Sequence, residues 1–247
     1  MPAPFLSIIL PAHNEEQRLP PSLKKVQAFI DAQPYPAEVI VVENGSTDGT
    51  YAAARGFLER MPTLRVVQES GRGKGLAVRR GMLEAPGEYR IFCDVDFSMP
   101  VEQISNFIPP ALPQVDVAIA SREAPGAKRY GEPELRHFIG RGFNTLVRWM
   151  ALPGLQDTQC GFKCFRGDVA ARIFPLQTIT GWTFDVEVLF IARKMGYSIL
   201  EVPIPWYYNA DSKVRVIKDS IHMFTDLIDI RLKALRGQYH DAPVQPR

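Results

Sequence analysis

The stretch Tyr89-Arg90-Ile91-Phe92-Cys93-Asp94-Val95-Asp96 joins an apolar, strand-like run to two carboxylates that stand one residue apart. Oxygen ligands of this kind suit hard divalent cations, and Mg²⁺ usually takes one or two carboxylates while phosphate and water fill its other positions. Because Asp is also common in a solvated turn after a strand, the pair alone leaves a plain turn open. The sequence around it favours the metal site.

Strand-like and helical segments alternate around this stretch through the first half of the chain. We predict strands at 5–10, 38–42, 64–68, 89–93 and 115–120, and helices at 22–33, 50–61, 75–83 and 101–111. Such alternation is typical of parallel βαβ units. After residue 122 we predict helices at 134–152, 184–195 and 216–236 and strands at 161–166 and 198–202. The predicted fold class is α/β, with a mainly parallel, Rossmann-like sheet flanked by helices and a C-terminal helical extension.

Composition excludes several classes of protein. The chain has 247 residues, of which 46% are hydrophobic and 23% charged, as in ordinary soluble globular proteins. Its net charge of +2, without a long basic block, argues against a nucleic-acid partner. The cysteines, Cys93, Cys160 and Cys164, fit neither a disulfide framework nor a zinc site, and we expect them to be reduced and buried. Since no signal region and no bilayer-spanning apolar run is visible, a cytoplasmic location is predicted.

Polar residues follow each of the first four predicted strands. These clusters are residues 11–16, 43–48, 69–74 and 94–98. Because ligands of open α/β sheets bind beyond the carboxyl ends of the strands, the four clusters predict one site. Within the second cluster, Ser46, Thr47 and Asp48 are also predicted to cap the helix that follows.

The glycine-rich loop Gly71-Arg72-Gly73-Lys74-Gly75 is not a phosphate loop of the Walker type. Gln68 stands where that motif requires Gly, and Leu76 stands where it requires Ser or Thr. The loop also follows the third strand with the wrong glycine spacing for a dinucleotide fingerprint. As a basic loop beside a helix N-terminus it can contact an anion, and a plain turn is the alternative.

Several strings together resemble family-2 glycosyltransferases of the GT-A fold. They are Pro11-Ala-His-Asn-Glu-Glu16, Val41-Val-Glu-Asn-Gly-Ser-Thr-Asp-Gly-Thr50, Gly73-Lys-Gly75 and Asp94-Val-Asp96. Two later strings, Asp157-Thr-Gln-Cys-Gly-Phe-Lys163 and Trp182-Thr-Phe-Asp-Val-Glu187, resemble the dolichyl-phosphate β-glucosyltransferase branch and the related polyprenyl-phosphate hexosyltransferases. We therefore expect one GT-A domain over residues 1–240, with a nucleotide-sugar half at 1–121, an acceptor half at 122–240 and a disordered tail at 241–247.

The resemblance implies inverting transfer of a hexose from a nucleotide sugar to a polyprenyl or dolichyl phosphate at the cytoplasmic face of a membrane. It favours UDP-glucose as the donor, with GDP-mannose as the alternative, and Mg²⁺ or Mn²⁺ held by Asp94 and Asp96. The residues implied to bind the nucleotide sugar are Pro11, Asn14, Glu15, Glu43, Arg72, Lys74 and Asp94, with Glu43 where the family usually has Asp. Arg122 matches a family arginine near the acceptor phosphate.

The implied acceptor requires cations more than a general base. A phosphate monoester has a second pKa of about 6, so it is largely dianionic at pH 7 and has no proton to lose during attack. Arginine forks match phosphate oxygens. The second half of the chain supplies Arg122, Arg136, Arg141, Lys213 and Arg215, of which we predict Arg122 and Arg141 to be catalytic. Taken singly, each fits a surface charge better, and only as a group do these residues favour an anionic acceptor.

Two carboxylates of the second half, Asp157 and Asp185, complete the predicted catalytic set. Asp157 is predicted to position the sugar or the attacking oxygen, with a structural turn as the alternative. If a helix begins at Phe184, Asp185 lies in its first turn, where a carboxylate is stabilised in any case. Since residues two apart on a helix point in different directions, Asp185 and Glu187 are not expected to face one atom.

The last predicted helix carries a stripe of apolar residues at steps of three and four, namely Ile217, Ile221, Phe224, Ile228, Leu232 and Leu235. One interpretation is packing onto the sheet. The other is an interfacial helix with Lys218, Arg231, Lys233 and Arg236 toward lipid head groups. Because a polyprenyl acceptor is met at a bilayer surface, we predict peripheral membrane association.

Three other functions stay open. A glycosyltransferase that acts on a hydroxyl of a glycan or small acceptor would use Asp157 or Asp185 as its base. A catalytically silent module would bind the nucleotide sugar without turnover. A nucleotidyltransferase shares the sheet and the metal, but its glycine-rich loop belongs directly after the first strand, where this chain has residues 11–16.

Overall fold

The computed structural model describes residues 3–112, 114–209 and 216–239, and the side chains of its last helix from residue 222 onward. Lys213, Arg215 and the predicted tail at 241–247 lie outside the described residues, as do the side chains of Ile217, Lys218 and Ile221.

Nine strands form two sheets within the described part of the chain. They are β1 (Leu6–Ala12), β2 (Ala37–Asn44), β3 (Leu64–Glu69), β4 (Tyr89–Cys93), β5 (Val117–Ser121), β6 (Lys128–Tyr130), β7 (Phe162–Arg166), β8 (Ile199–Pro203) and β9 (Pro205–Tyr207). The large sheet has the order β3-β2-β1-β4-β7-β5-β8, and β6 pairs with β9 in a small parallel sheet. In the large sheet, β7 runs antiparallel to both of its neighbours and the other pairs are parallel.

Helices cover both faces of the large sheet. They are α1 (Leu19–Asp31), α2 (Thr50–Arg55), α3 (Lys74–Glu84), α4 (Glu134–Met150), α5 (Gly167–Ile173), α6 (Phe184–Lys194) and α7 (Val216–Leu235), with 3₁₀ turns at Val101–Phe107 and Phe174–Leu176. Ile8 of β1 belongs to the core cluster that contains Val26 of α1, whereas Ile9 belongs to the opposite cluster with Val78 of α3. Since alternate residues of a strand point to opposite faces, strands buried on both faces read as continuous apolar runs.

The predicted α/β class with a mainly parallel sheet is confirmed. The seven predicted strands lie within two residues of their observed ends. The helix predicted at 50–61 is wrong in its second half, because α2 ends at Arg55 and Gly56 follows. The segment predicted as a helix at 101–111 is a 3₁₀ turn that ends before Pro109 and Pro110, which cannot continue a helix. The elements β6, β9 and α5 were not predicted, since three to seven residues carry too little periodicity.

The antiparallel strand β7 links the two halves of the chain. It lies between β4 and β5, so the loop that precedes it reaches the carboxyl end of β4. There the backbone N–H of Asp94 donates to the carbonyl of Gly161 at 3.2 Å. A loop of the second half is thereby fixed beside the predicted metal ligands.

Candidate active site

A cavity of about 550 Å³ lies beyond the carboxyl ends of the first parallel strands. Each of the four predicted polar clusters contributes to its wall, so their predicted convergence is confirmed. From the first half the lining includes Pro11, His13, Glu15, Arg18, Asn44, Arg72, Lys74, Asp94, Asp96 and Ser98, and from the second half Arg122, Arg129, Arg136, His137, Gln159, Asp185, Trp206 and Met223. The cavity is therefore shared by both halves of the chain.

The acid pair at the end of β4 is held in place by its backbone. Val95, between the two acids, is buried, and the hydroxyl of Ser22 donates to its carbonyl at 2.5 Å. The N–H of Ser98 donates to Oδ1 of Asp96 at 3.1 Å. Burial raises the pKa of Asp96, and the charge of Asp94 raises it further. Two carboxylates that repel each other in a partly buried place attract a cation.

The chemistry and shape of this place fit a hard divalent cation. A Cβ atom on Gly161 would lie 1.9 Å from Oδ2 of Asp94, so any residue other than glycine at this position would clash with that carboxylate. Among the described residues, no group of three His, Cys, Asp or Glu side chains is arranged to hold an ion. The protein thus offers the two carboxylates of Asp94 and Asp96, which is the number that Mg²⁺ commonly takes when a phosphate supplies other ligands.

Lys74 faces Asp94 from the first residue of α3. Its Nζ lies 2.5 Å from Oδ1 of Asp94 and 5.6 Å from the ring centroid of Trp182. Burial alone would lower the pKa of Lys74, but the charges of Asp94 and Asp185 outweigh burial and raise this pKa. The loop before α3 is therefore part of the site.

Two backbone amides at the N-terminus of α3 are not available to an anion. The N–H groups of Gly75 and Leu76 donate to the carbonyl of Thr180 at 2.9 and 3.3 Å. The protein itself therefore occupies these two donors. The groups of this loop that can contact an anion are the side chains of Arg72 and Lys74, both of which line the cavity.

Asp157 forms a buried ion pair with Arg122. Its carboxylate is fully buried and accepts from Nε of Arg122 at 2.7 Å, from a terminal guanidinium nitrogen at 2.9 Å and from the Arg122 backbone at 2.9 Å. Burial would raise the pKa of Asp157, but Arg122 outweighs it and lowers this pKa to about 2. Both oxygens thus orient Arg122, and a role as a proton acceptor does not fit this arrangement.

Asp185 pairs with a lysine that is itself fully buried. Nζ of Lys163 lies 2.6 Å from Oδ1 of Asp185 and 2.6 Å from the carbonyl of Cys160. Burial raises the pKa of Asp185, and Lys163 partly offsets this effect. Glu187 points elsewhere, toward Tyr239, whose hydroxyl donates to it at 2.8 Å. The predicted divergence of Asp185 and Glu187 on α6 is confirmed.

Four predicted site residues do not line the cavity: Asp157, which is buried against Arg122, and also Glu43, Asn14 and Arg141. Oε1 of Glu43 accepts from the N–H of Ser46 at 2.6 Å, so this carboxylate closes its own turn. Asn14 adopts a φ of 53°, and its Oδ1 accepts from the N–H of Thr47 at 2.8 Å. Arg141 is exposed on α4. Their predicted contacts with the nucleotide sugar or the acceptor phosphate have no support from this geometry.

The predicted helix cap is correct for one residue of three. The N–H of Thr50, the first residue of α2, donates to Oδ1 of Asp48 at 3.0 Å. Ser46 instead accepts from the N–H of Asn14 at 3.0 Å, and Thr47 donates to the Asn14 side chain. Ser46 and Thr47 therefore hold the loop after β1 in place.

An aromatic ring and further cations line the part of the cavity that the second half of the chain contributes. The guanidinium carbons of Arg122 and Arg129 lie 5.3 and 5.6 Å from the centroid of Trp206. Arg129 also pairs with Glu123 at 2.6 Å, and Arg136 lies over the ring of Tyr208 at 5.1 Å. Arg136 was named in the predicted arginine group. Arg129 and Trp206 were missed, because the strands that carry them are only three residues long.

Two helices expose an apolar surface next to the cavity. We name it the α4–α7 apolar surface; it consists of Leu135, Phe138, Ile139, Trp149, Phe224, Ile228, Leu232 and Leu235. Exposure reaches 85% at Trp149, 77% at Phe138 and 83% at Leu235. Ile139 also lines the cavity, so the surface and the cavity are continuous.

The predicted stripe on the last helix does not pack onto the sheet where its side chains are described. Phe224, Ile228 and Leu232 are exposed, whereas Leu227 and Ile230 on a neighbouring face are buried. The interfacial interpretation of this helix therefore agrees better with the structure than the packing interpretation.

The parallel sheet interrupted by β7, with an acid pair at the end of β4 facing a cavity shared by both halves, defines the GT-A class of glycosyltransferase fold. The chain belongs to the family described as glycosyl transferase family 2, whose model matches residues 7–174.

Three longer relatives that match nearly the whole chain carry one name. The dolichyl-phosphate β-glucosyltransferase of Dictyostelium discoideum is 33% identical over 94% of this chain and 76% of its own length. The proteins of that name from Saccharomyces cerevisiae and Homo sapiens are 33% and 32% identical over 96% of this chain and 77% and 78% of their own lengths.

Solved structures share the fold at lower identity. Glucosyl-3-phosphoglycerate synthase of Mycobacterium tuberculosis with UDP gives a TM-score of 0.64 at 20% identity, covering 92% of this chain and 80% of that one. The same enzyme with Mn²⁺ and UDP-glucose gives 0.66 at 18% identity, covering 93% and 78%.

Proposed function

We propose that this enzyme transfers glucose from UDP-glucose, with inversion, to dolichyl phosphate or a similar polyprenyl phosphate. The observation that carries the proposal is one cavity with an acid pair on its donor side and an arginine group on its acceptor side. The names of the relatives support glucose as the sugar and dolichyl phosphate as the acceptor. The solved neighbour with Mn²⁺ and UDP-glucose supports a divalent cation and a uridine donor.

On the donor side, Asp94 and Asp96 would hold Mg²⁺ or Mn²⁺. When bound, the cation supplies positive charge to the departing diphosphate. Arg72 and Lys74 line the same part of the cavity and would bind phosphate oxygens of the donor. Pro11 and Glu15 would contact the nucleoside, because both line the cavity and the family resemblance implies this role for them.

On the acceptor side, Arg122 would bind the lipid phosphate. Its remaining N–H donors lie outside the pair with Asp157, and its stacking on Trp206 fixes the guanidinium plane. An oxygen of the phosphate dianion forms the new bond to the anomeric carbon while the bond from that carbon to the diphosphate breaks. No base is required for this displacement, since the attacking oxygen carries no proton.

Transfer to a hydroxyl is the weaker alternative, because the two candidate bases are engaged elsewhere. Both carboxylate oxygens of Asp157 accept hydrogen bonds from Arg122, and Asp185 accepts one from the buried Lys163. We propose that Asp157 positions Arg122 and that Asp185 helps to orient Lys74.

A matrix of donors and acceptors tests the proposed function. UDP-glucose and GDP-mannose are each offered with dolichyl phosphate in detergent, with glycerol or with a free disaccharide, in Mg²⁺, Mn²⁺ or EDTA. We expect a β-linked glucosyl phospholipid from UDP-glucose and dolichyl phosphate, and its loss in EDTA. An α-linked product, or faster transfer to a hydroxyl acceptor, would contradict the proposal.

A comparison of Arg136 with Arg141 tests the acceptor side. Arg136 lines the cavity, whereas Arg141 lies exposed on the same helix. We expect Arg136→Ala to raise KM for dolichyl phosphate about tenfold, since one charge-assisted hydrogen bond contributes about 1.5–3 kcal/mol. Arg141→Ala should change this KM by less than about twofold, within the usual range of exposed charges. The reverse order would favour the assignment made from the sequence. Initial rates over a range of dolichyl phosphate concentrations provide the measurement.

The α4–α7 apolar surface would place the enzyme on a bilayer. In the described part of the chain, no helix has both the length and the apolar composition needed to cross a membrane. The surface nevertheless presents eight large apolar side chains beside the cavity, with Arg141 and Arg148 on α4 and Arg231 on α7. Apolar residues on one face with basic residues nearby favour binding at the lipid head groups. We propose that a polyprenyl chain passes from the bilayer along Ile139 into the cavity.

Liposome flotation tests this surface. We expect the double variant Phe138→Ser/Trp149→Ser to bind anionic phosphatidylserine vesicles at least about tenfold more weakly, since each buried aromatic side chain contributes about 1.5–3 kcal/mol. Leu83→Ser removes a 39% exposed leucine on α3, outside this surface, and serves as the control. Equal flotation of the double variant and the wild type would contradict membrane contact through this surface.

A further inference from the structure

We propose that Lys74 is an exchangeable cation: in the free enzyme its ammonium holds the place on Asp94 that the divalent cation takes, and it moves to the donor diphosphate when nucleotide and metal arrive together. This inference rests on the proposed function, because it assigns Asp94 to the metal.

The contact between Lys74 and Asp94 occupies one oxygen of that carboxylate. Oδ1 lies 2.5 Å from Nζ of Lys74, and Oδ2 faces Gly161 so closely that a Cβ atom there would stand 1.9 Å away. The Lys74 side chain is 14% exposed and that of Asp94 37%, so the pair lies in the wall of the cavity and is not a loose surface contact. A divalent cation that binds Oδ1 of Asp94 therefore competes with an ammonium group.

Both backbones of the pair are fixed. Gly73, before Lys74, has a φ of 129°, and a Cβ atom there would lie 2.3 Å from the Thr180 carbonyl. That carbonyl accepts from the N–H of Gly75, directly after Lys74. On the other side, the N–H of Asp94 donates to Gly161. Because neither backbone can withdraw easily, the exchange takes place through the long, flexible lysine side chain.

Other groups near Lys74 can receive its ammonium when it leaves Asp94. Trp182 offers its ring at 5.6 Å from Nζ, and Asp185 lines the same cavity. A diphosphate held by the metal between Asp94 and Asp96 would bring two further negative groups into this space. When the Lys74 ammonium leaves Asp94, negative groups of the diphosphate and of Asp185 would still balance its positive charge.

The arrangement predicts synergy between metal and nucleotide. A divalent cation alone must displace Lys74 while nothing else receives the ammonium, so it binds weakly. With a nucleoside diphosphate present, Lys74 has a new partner and the cation gains phosphate ligands. The free enzyme would consequently keep Asp94 compensated and load metal together with its donor.

Mn²⁺ binding to the purified protein, followed by electron paramagnetic resonance of the free ion without sugar or lipid, tests the exchange. We expect Lys74→Met to bind Mn²⁺ at least about tenfold more tightly than the wild type in the absence of nucleotide, because it removes the repulsion between two cations a few Å apart. Lys74→Arg retains the charge and should match the wild type. Added UDP should tighten Mn²⁺ binding by the wild type more than by Lys74→Met.

Arg72→Gln is the matched control, since Arg72 also lines the cavity but has no ion pair to Asp94 among the described contacts. Equal tightening in Arg72→Gln, or no tightening in a folded Lys74→Met, overturns the exchange and leaves the proposed function intact. Absence of Mn²⁺ binding in every protein, with and without UDP, overturns both. If Lys74→Met does not fold, ¹⁵N spectra of lysine ammonium groups in the wild type replace it: the Lys74 signal should persist in Mg²⁺ alone and shift when UDP is added. Its loss in Mg²⁺ alone overturns the exchange.

Discussion

Replacement of Asp94 by asparagine is expected to lower kcat/KM for glucosyl transfer by at least about a thousandfold. A bound cation contributes several kcal/mol to stabilising charge on a leaving diphosphate, and about 4 kcal/mol corresponds to three orders of magnitude in rate. Asparagine has nearly the same shape, so the close packing against Gly161 is retained while the charge is lost. Initial rates with UDP-glucose and dolichyl phosphate at saturating Mg²⁺ provide the measurement.

Glu59→Gln is the control for this prediction, because Glu59 is an exposed carboxylate that does not line the cavity. It should retain the wild-type rate. Asp94→Asn should keep the wild-type circular dichroism spectrum and lose affinity for Mn²⁺. A correctly folded Asp94→Asn enzyme with a rate within tenfold of the wild type would contradict the assignment of Asp94 to the metal.

Asp157→Asn is expected to lower the free energy of unfolding by about 3–5 kcal/mol, the usual cost of leaving one member of a buried ion pair without its partner. In the variant, the positively charged Arg122 guanidinium lies beside a neutral side chain and has lost the carboxylate of Asp157. Urea denaturation at pH 7, with wild type and variant compared by their transition midpoints and slopes, measures the difference.

The pH dependence of the same experiment has a defined sign. The pKa of Asp157 is about 2 in the folded protein and lies below its ordinary value. The unfolded chain therefore binds more protons than the folded chain at acidic pH, so this carboxylate stabilises the protein above about pH 4, and the stabilisation is lost as the pH falls toward about 2. The wild type should lose stability over this window, and Asp157→Asn should lack that component.

A double variant separates stability from activity. In Arg122→Met/Asp157→Leu both charges are replaced by apolar groups, which in buried pairs is often neutral for stability. We expect unfolding at nearly the wild-type urea concentration together with loss of transfer to dolichyl phosphate. Full activity in this variant would show that Arg122 does not bind the acceptor.

The seven strands of the large sheet were predictable from the sequence because each is a short, largely apolar run. The same holds for the position of Asp94 and Asp96, since their place at the end of β4 follows from the local sequence alone. The partners of the charged groups were not predictable. Arg122 and Asp157 are 35 residues apart, and tertiary contacts bring them together, among them the hydrogen bond from the Asp157 backbone to Glu201 of β8.

Glu43 and the last helix illustrate the same difference. Glu43 was correctly placed at the carboxyl end of β2, but whether its side chain faces the cavity or its own turn depends on a hydrogen bond from Ser46. The apolar stripe on α7 was visible in the sequence. The pattern is the same whether the rest of the protein or a bilayer covers the stripe, so the sequence alone did not decide between them. For α4 no surface was predicted, although Phe138 and Trp149 lie on a face that the structure leaves exposed.

The position of β7 has a consequence for engineering. A boundary at residue 121 would separate β4 and β5 from the strand that lies between them, and it would also detach Gly161 from Asp94 and Thr180 from the start of α3. Under the proposed function, the residues that bind the donor and those that bind the acceptor are attached to one sheet, so neither set could be transferred as a separate domain. Chimeras that aim to change the lipid specificity would have to graft loops onto an intact sheet, with Arg136 and Trp206 as natural starting points.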